Sequence, residues 1–277
     1  MAQSVMYLLI STTLFSLINV GVKWIDHLPA SEIVVFRGSL SLLICYLLIK
    51  KKGIPLLGKN RKILFLRGFF GTLALFSLFI CLQKIPLAVA TTLINLSPIL
   101  TVVISQIFLK EKAHPIQWGF LLLSFLGVYL ARGGVEPVPM EWIVLGFFAA
   151  LFAGAAYTCV RQLRLSEDPL VVIMYFPLVT IPMISPVMVY EWVTPKNWDW
   201  AVLVGIGLLT QVAQYFMTLA YQREKAAKIM VFNYAGLLWA VLWGWLFFHE
   251  SLEPVQILGI TIVLSCLLGN YFVSRKA

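Results

Sequence analysis

Ten nearly uncharged apolar runs of about 20 residues follow one another along this chain, at about 4–23, 32–49, 63–83, 87–109, 115–131, 142–160, 169–190, 199–221, 227–248 and 254–273. Each has the length an α-helix needs to cross a roughly 30 Å hydrocarbon layer. Strands are excluded, because a spanning barrel uses short segments of alternating polarity and these runs are unbroken. A chain of 277 residues that is 61% hydrophobic and 12% charged cannot hide so much apolar surface in one core, so lipid is its solvent. The first run has no basic residue before it and no small-residue cleavage site after it, and reads as a retained span rather than a signal peptide. The expected fold is an all-α integral membrane protein of ten transmembrane helices, with short connections and no soluble domain.

Ten spans put both termini on one side, and the loop charges say which. One set of connections holds Lys50, Lys51, Lys52, Lys59, Arg61, Lys62, Lys110, Lys112, Arg161, Arg164, Arg223, Lys225, Lys228, Arg275 and Lys276, 15 basic residues. The alternate set holds 4, Lys23, Lys84, Arg132 and Lys196, while Arg37 and Arg67 lie within spans. Both termini are therefore predicted to be cytoplasmic. The net charge of +9 is a topology signal, and a nucleic-acid partner is excluded because there is no basic soluble surface.

The stretch "FLKEKAHPIQ" (108–117) has an echo in "FFHESLEPVQ" (247–256), where Glu111, Pro115 and Gln117 recur as Glu250, Pro254 and Gln256 at one constant shift. Five spans separate the copies, and an odd number turns the second copy to the opposite face. The lysines of the first copy suit the basic side; His249, Glu250 and Glu253 suit the other. Gln83 and Lys84 against Gln222 and Arg223, and Ala88 against Ala227, extend the match. Two inverted five-helix repeats, residues 1–134 and 135–277, are expected, a common design for alternating access.

Polar groups in a bilayer are expensive, and on one helical face they mark a cavity or a partner helix. The first span carries Thr12, Ser16, Asn19 and Lys23 as one stripe. The eighth carries Gln211, Gln214, Tyr215 and Thr218 at i, i+3, i+4 and i+7, which either line a path or bond neighbouring helices. The fourth holds Thr91, Thr92, Asn95 and Ser97-Pro98; Pro98 frees the Ile94 carbonyl and should kink the helix near mid-membrane, giving either a polar contact for cargo or a structural bend. The matching place in the second half, "FNYAGLLW", holds Asn233 and Tyr234 and no proline. Arg37, about six residues or roughly 9 Å into the second span, has no acid within a turn; it either snorkels outward or faces a cavity and binds a carboxylate or phosphate. Arg67 reads as a snorkelling anchor. Tyr157, Tyr175, Tyr215, Tyr234 and Trp239 lie deeper in their spans, where they either pack the core or stack on a flat or apolar cargo. Gly146, Ala150 and Gly154 form a ridge of small residues for helix packing.

The stretch "IPLAVATTLINLSPILTVVISQIFLKEK" (85–112), with the following "WGFLLLSFLGVYLARGG", resembles the drug/metabolite transporter superfamily, in particular its ten-helix EamA-like members. The resemblance implies a central cavity between the two halves that opens alternately to each side. It also implies small polar or amphipathic metabolites as cargo, in a superfamily whose members export amino acids, take up S-adenosylmethionine or exchange nucleotide sugars.

All 12 acidic residues map to loops or helix ends, so no carboxylate is expected at mid-membrane and proton-coupled export of cationic drugs is disfavoured. His27, His114 and His249 lie in loops without metal-ligand spacing, and no nucleotide loop or serine elbow appears, so no cofactor, metal or catalytic residue is expected. Cys45, Cys81, Cys159 and Cys266 read as buried apolar residues. The chain is expected to be no enzyme but a secondary transporter, exchanging or passively passing an amino-acid-like, nucleoside-like or organic-anion metabolite as a monomer or weak homodimer. Its expected place is the bacterial inner membrane; an integral membrane enzyme acting on lipid-linked substrate is the alternative.

Overall fold

A computed structural model describes residues 1–85, 87–131, 138–248 and 254–276, and within them every regular element is helical. In chain order these are α1 (Ala2–Trp24), α2 (Ala30–Lys52), α3 (Arg61–Lys84), α4 (Leu87–Ile94), α5 (Ser97–Phe108), α6 (Pro115–Ala131), α7 (Met140–Gln162), α8 (Pro169–Glu191), α9 (Trp198–Arg223), α10 (Ala226–Ile229), α11 (Ala235–Phe248) and α12 (Pro254–Lys276). Among the described residues seven helices, α1, α2, α3, α7, α8, α9 and α12, are long and apolar enough to cross a membrane. The sequence leads one to expect ten continuous runs, and the difference has two causes. α6 is a short apolar helix of 17 residues. The runs at 87–109 and 227–248 are each interrupted, the first by a turn at Asn95 and Leu96, the second by a 3₁₀ turn over Met230–Tyr234.

At the first break the expected kink is a full stop and restart. Pro98 sits in the first turn of α5, where a missing N–H leaves nothing unpaired. The turn closes through Leu96 N–H to the Leu93 carbonyl (3.0 Å), and Thr101 Oγ donates to the Ser97 carbonyl (2.6 Å). The second break has no proline and tightens instead.

Other ends follow ordinary rules. α2 stops at Gly53, whose φ of 65° places it in the left-handed region, with Lys50, Lys51 and Lys52 set against the carbonyl end. α8 starts at Pro169 under the Asp168 carboxylate, which accepts from Leu170 N–H at 2.8 Å.

Most of the close packing runs between the N-terminal and C-terminal parts of the chain. α1 lies on α9, α2 on α8 and α9, α3 on α7 and α8, α5 on α7, and α6 on α12. Individual contacts recur at the same constant shift that relates the two loop copies. Gln83 Nε2 donates to the Leu28 carbonyl (3.0 Å), and Gln222 Nε2 donates to the Glu167 carbonyl (3.3 Å). Thr72 bonds Thr180 between α3 and α8 (2.7 Å), and Ser41 bonds Gln211 between α2 and α9 (2.6 Å). Gly68 of α3 faces Val179 of α8, and Gly207 of α9 faces Leu40 of α2.

Polar contacts sort the connections into two ends. At one, Met1 N pairs with Glu224 (2.9 Å), Glu167 accepts from Lys59 N–H (2.6 Å), and Glu111 accepts from Arg161 Nε (2.9 Å) and Arg164 Nη1 (2.7 Å). Arg161 Nη1 also donates to the Gln222 carbonyl at 2.9 Å, and Asn270 reaches the Lys228 carbonyl at 3.0 Å. At the other, His27 meets Asp199 (3.0 Å), Ser31 Oγ donates to Glu191 (2.8 Å) and Val193 N–H to Glu32 (3.3 Å). Of the basic residues in these contacts, Lys59, Arg161, Arg164 and Lys228 lie at the first end, and Lys196, whose N–H donates to Asp199 (2.8 Å), lies at the other. His249, Glu250 and Glu253 of the second loop copy, and Arg132 and Glu136, lie outside the described residues.

The small-residue ridge of α7 packs as expected: Gly146 abuts Leu93, and Gly154 abuts the backbone at Leu100 and Thr101. At Gly68 an added Cβ would stand 2.6 Å from the Tyr175 carbonyl oxygen, whereas at Gly119 nothing lies within 4 Å. Gly68→Ala is therefore expected to cost about 1–3 kcal/mol and lower the melting temperature of the detergent-purified protein, with Gly119→Ala neutral or slightly stabilising. A parallel contrast holds for the ion cluster, because the Arg161 side chain is 7% exposed and that of Arg164 36%. Arg161→Met should destabilise by roughly 3–5 kcal/mol by leaving Glu111 less compensated in a buried place, and Arg164→Met by no more than about 1 kcal/mol, read from the same melting curves.

Candidate functional site

A cavity of about 280 Å³ occupies the centre of the bundle, walled by α1, α2, α3, α4, α5, α7, α8, α9 and α11, and both helix breaks border it. Ile94, Asn95, Ser97 and Pro98 line it from the first break, Asn233 and Gly236 from the second. Non-helical backbone at this depth is tolerated where it borders protein or a wet cavity rather than lipid, so the location of the breaks and that of the cavity share one cause.

The polar stripe of α1 is a cavity face: Thr12, Ser16, Asn19 and Lys23 all line it. Ser16 Oγ accepts from Trp243 Nε1 (2.8 Å) and donates to the Thr13 carbonyl (2.6 Å), which ties α1 to α11. The lining reaches Lys23, one residue from the end of α1 at the His27–Asp199 end. Toward the other end it stops at Tyr157. There the Tyr157 ring stands edge-on to Tyr221 (centroids 4.9 Å), and the Tyr221 hydroxyl contacts the Asn233 amide (3.1 and 2.9 Å). Beyond lies the Arg161–Glu111 cluster, so the cavity has one extended end and one plugged end.

Two arginines dominate its electrostatics. Arg37 of α2 is 3% exposed and Arg67 of α3 is 2% exposed, and both line the cavity. Arg37 Cζ lies 5.7 Å from the centroid of Phe79 and 6.0 Å from that of Phe176; Arg67 Cζ lies 5.0 Å from Phe176. One phenyl ring thus serves both guanidinium groups, an arrangement a ring quadrupole favours. Arg67 Nη2 donates to Gln214 Oε1 at 3.3 Å, while its Nε is buried with no hydrogen-bond partner. Arg37 makes no hydrogen bond or ion pair among the described residues, and no described lining residue is acidic. A Cβ at Gly71 would collide with Arg67 Nη1 and the Phe176 ring, so glycine makes the room for that side chain.

Of the residues singled out from sequence, Ser16, Asn19, Arg37, Asn95, Pro98, Tyr157, Gln214 and Asn233 come together at the cavity. Gln211 is placed elsewhere: its amide is held by Ser41 (2.6 Å) and Cys45 (3.1 Å) between α9 and α2. Tyr175 turns its hydroxyl to the Leu57 carbonyl (2.9 Å). Tyr215 packs on Phe216, with centroids 6.0 Å apart. Tyr234 is fully buried with its hydroxyl unpartnered, and Trp239 stacks on Trp243 and borders a separate apolar groove between α1, α11 and α12. The side chain of Thr91 lies outside the described residues.

Arg67 corrects an expectation. Read as an anchor snorkelling from the membrane edge, it points inward, because α3 turns that face to α7 and α8. Its isolation in an apolar span was the available signal, the same one that marked Arg37. Phe176 and Trp243 were not distinguishable among the many aromatic residues. Among the described residues no group of three or more metal-ligating side chains is assembled.

The chain matches the model of the EamA-like transporter family twice, over residues 3–133 and 140–272. It is 31% identical to the pseudopaline exporter CntI of Pseudomonas aeruginosa, covering 96% of this chain and 95% of that protein. It is 30% identical to solute carrier family 35 member G1 of Mus musculus (88% and 71%) and 25% identical to a riboflavin transporter of Rhizobium johnstonii (95% and 89%). A solved crystal structure with 16% identity superposes over 99% of this chain and 98% of its own, with a TM-score of 0.86, and shares the fold. With both segments matched and a bundle of membrane-type helices broken at a central cavity, this chain belongs to the EamA-like transporter family, within the drug/metabolite transporter superfamily.

Proposed function

We propose that this transporter moves a small polar metabolite by alternating access, with ten spans in two inverted halves, residues 1–134 and 135–277, rocking about the central cavity. The observation that carries the reading is the pair of helix breaks at equivalent places in the two halves, both lining one cavity. Discontinuous helices meeting at mid-membrane supply free backbone groups for a cargo. The Gln83–Leu28 and Gln222–Glu167 bonds support the inversion, since the same contact sits at opposite ends of the bundle. The cross-chain helix pairing and the two family matches support the division into halves.

The extended and plugged ends of the cavity fit one half of a transport cycle. The cavity lining extends toward the His27–Asp199 end as far as Lys23, and access from the other end requires Arg161 to leave Glu111 and the Gln222 carbonyl. The excess of basic loop residues supports a cytoplasmic location for that plugged end, and with it for both termini. Bacterial relatives support an inner membrane location.

In this reading Ser16, Asn19, Arg37, Asn95, Pro98, Tyr157, Gln214 and Asn233 touch the cargo. Gln211 and Tyr175 hold the wall from behind. The relatives differ in what their names say they carry, so the cargo is read from the lining of this chain.

Two measurements test the proposal. In proteoliposomes, Gln214→Ala should lower the saturable uptake of a transported metabolite about tenfold at unchanged expression, because it removes the acceptor that aims Arg67. Gln211→Ala should instead lower the melting temperature slightly, at about 0.6 kcal/mol per lost contact, with uptake per folded molecule retained. Equal loss of uptake in both variants would return Gln214 to a packing role. For the inversion, single cysteines introduced as Lys112→Cys and Ser251→Cys should react with an impermeant maleimide from opposite faces of the membrane; labelling from one face would end the two-half scheme.

A further inference from the structure

The geometry points to a cargo that is an organic dianion, two carboxylates or a phosphate ester on a compact carbon frame, bound by Arg37 and Arg67 together. The inference rests on the transport reading above and names the substrate class of that site. Two guanidinium groups, each at least nine-tenths buried, border one cavity. Both lie over Phe176, so their Cζ atoms are no further apart than the sum of their 6.0 and 5.0 Å distances to its ring. A surface arginine has water for its five N–H donors, whereas these two have ring faces, one glutamine oxygen, and a cavity. One of the donors, Arg67 Nε, has nothing at all.

Buried charge of one sign is expensive, and a pair more so, unless something opposite shares the space. No described lining residue does. The remaining candidate is whatever enters. A neutral or cationic cargo would leave two charges uncompensated and bring its own desolvation; a monoanion would answer one. A dianion with its charges a few ångströms apart matches both forks bidentately, and the apolar floor of Phe15, Phe79 and Phe176 accepts the carbon frame between them. The cavity, at about 280 Å³, lies just below the roughly 300–1,000 Å³ range of ligand sites, which favours a compact molecule.

The charge also has a side. At the constant shift between the halves, Arg37 falls on Phe176 and Arg67 on Ile206, so neither arginine has a basic twin. The first half therefore carries the anion-binding groups, and the second supplies the ring they share. Loaded with a dianion, both guanidinium charges are answered and the centre can turn from one side to the other. Empty, it holds two unpaired charges, and its return is disfavoured. The mode of transport that follows is exchange of one dianion for another.

The test uses the purified full-length protein. Melting temperatures are recorded with the straight-chain dicarboxylates from succinate to suberate, with phenyl phosphate, with hexanoate as the monoanion, with adipamide as the neutral frame, and with 1,6-diaminohexane as the dication. Binding to the native state raises the melting temperature by mass action. At least one dianion should stabilise the protein, hexanoate should bind about tenfold or more weaker, and adipamide and the diamine should give no shift. Which of the dicarboxylate and phosphate arms responds assigns the anionic group. Arg37→Gln and Arg67→Gln should each weaken the responding dianion about 10- to 100-fold, with the lysine variants intermediate because they keep charge and lose the fork. Stabilisation by adipamide equal to that by adipate, or no response to any dianion, overturns the assignment, and this contrast on the unaltered protein decides even where a glutamine variant does not purify. Proteoliposomes loaded with the responding dianion separate this inference from the one beneath it. Arginine-dependent binding without flux defeats the transport reading and leaves the anion site standing. Saturable flux of a neutral or cationic metabolite, unchanged in both glutamine variants, keeps transport and defeats the dianion.

Discussion

Inside a bilayer the backbone has no solvent to bond with, and this chain is organised around the consequence. A spanning segment stays helical wherever lipid touches it, so an interruption marks a place where lipid does not. Here α4 gives way to α5 at Asn95 and Leu96, and α10 to α11 across Met230–Tyr234, and both interruptions border the same central space. Proline enforces the first; the second is made without one. The chemistry available to a cargo therefore begins with main-chain groups held by architecture, to which the side chains of α1, α2, α3 and α9 are added.

The second constraint is electrostatic. Arg37 and Arg67 are stabilised by ring faces and by Gln214 rather than by carboxylates, a solution that keeps both groups fixed while leaving their charge unanswered. Acids do occur close by along the chain, but they are used at the bundle ends. Glu111 fastens α7 to the end of α5, Glu167 fastens the α2–α3 connection, and Asp199 and Glu191 fasten the far side. Carboxylates thus close the ends, while, among the described residues, Arg37 and Arg67 face the centre without one.

Much of this was legible in the residues, for reasons that also explain what was not. Length and polarity of the runs reveal spans, because lipid thickness sets the one and hydrocarbon the other; the interruptions at 95–96 and 230–234 are too short to disturb either signal. The stripe of Thr12, Ser16, Asn19 and Lys23 pointed to a cavity face because helical spacing puts the four on one side. The same spacing could not say what that side meets. Gln211 and Gln214 are one turn apart, yet one meets Ser41 and Cys45 of α2 and the other meets Arg67 of α3. Position along a helix is read from sequence, whereas azimuth depends on which neighbours pack. For that reason Arg67 looked like an edge anchor, and Tyr175 like a deep aromatic, when its hydroxyl ends on the Leu57 carbonyl.

The matched glycine contacts, Gly68 beneath Val179 and Gly207 beneath Leu40, have a mechanical meaning. Bare backbone lets the helices approach closely there, and the side-chain bonds Thr72–Thr180 and Ser41–Gln211 span the same two crossings, α3 on α8 and α2 on α9. Each crossing is thus pinned twice, by tight packing and by a hydrogen bond, which fixes the register in which these helices touch.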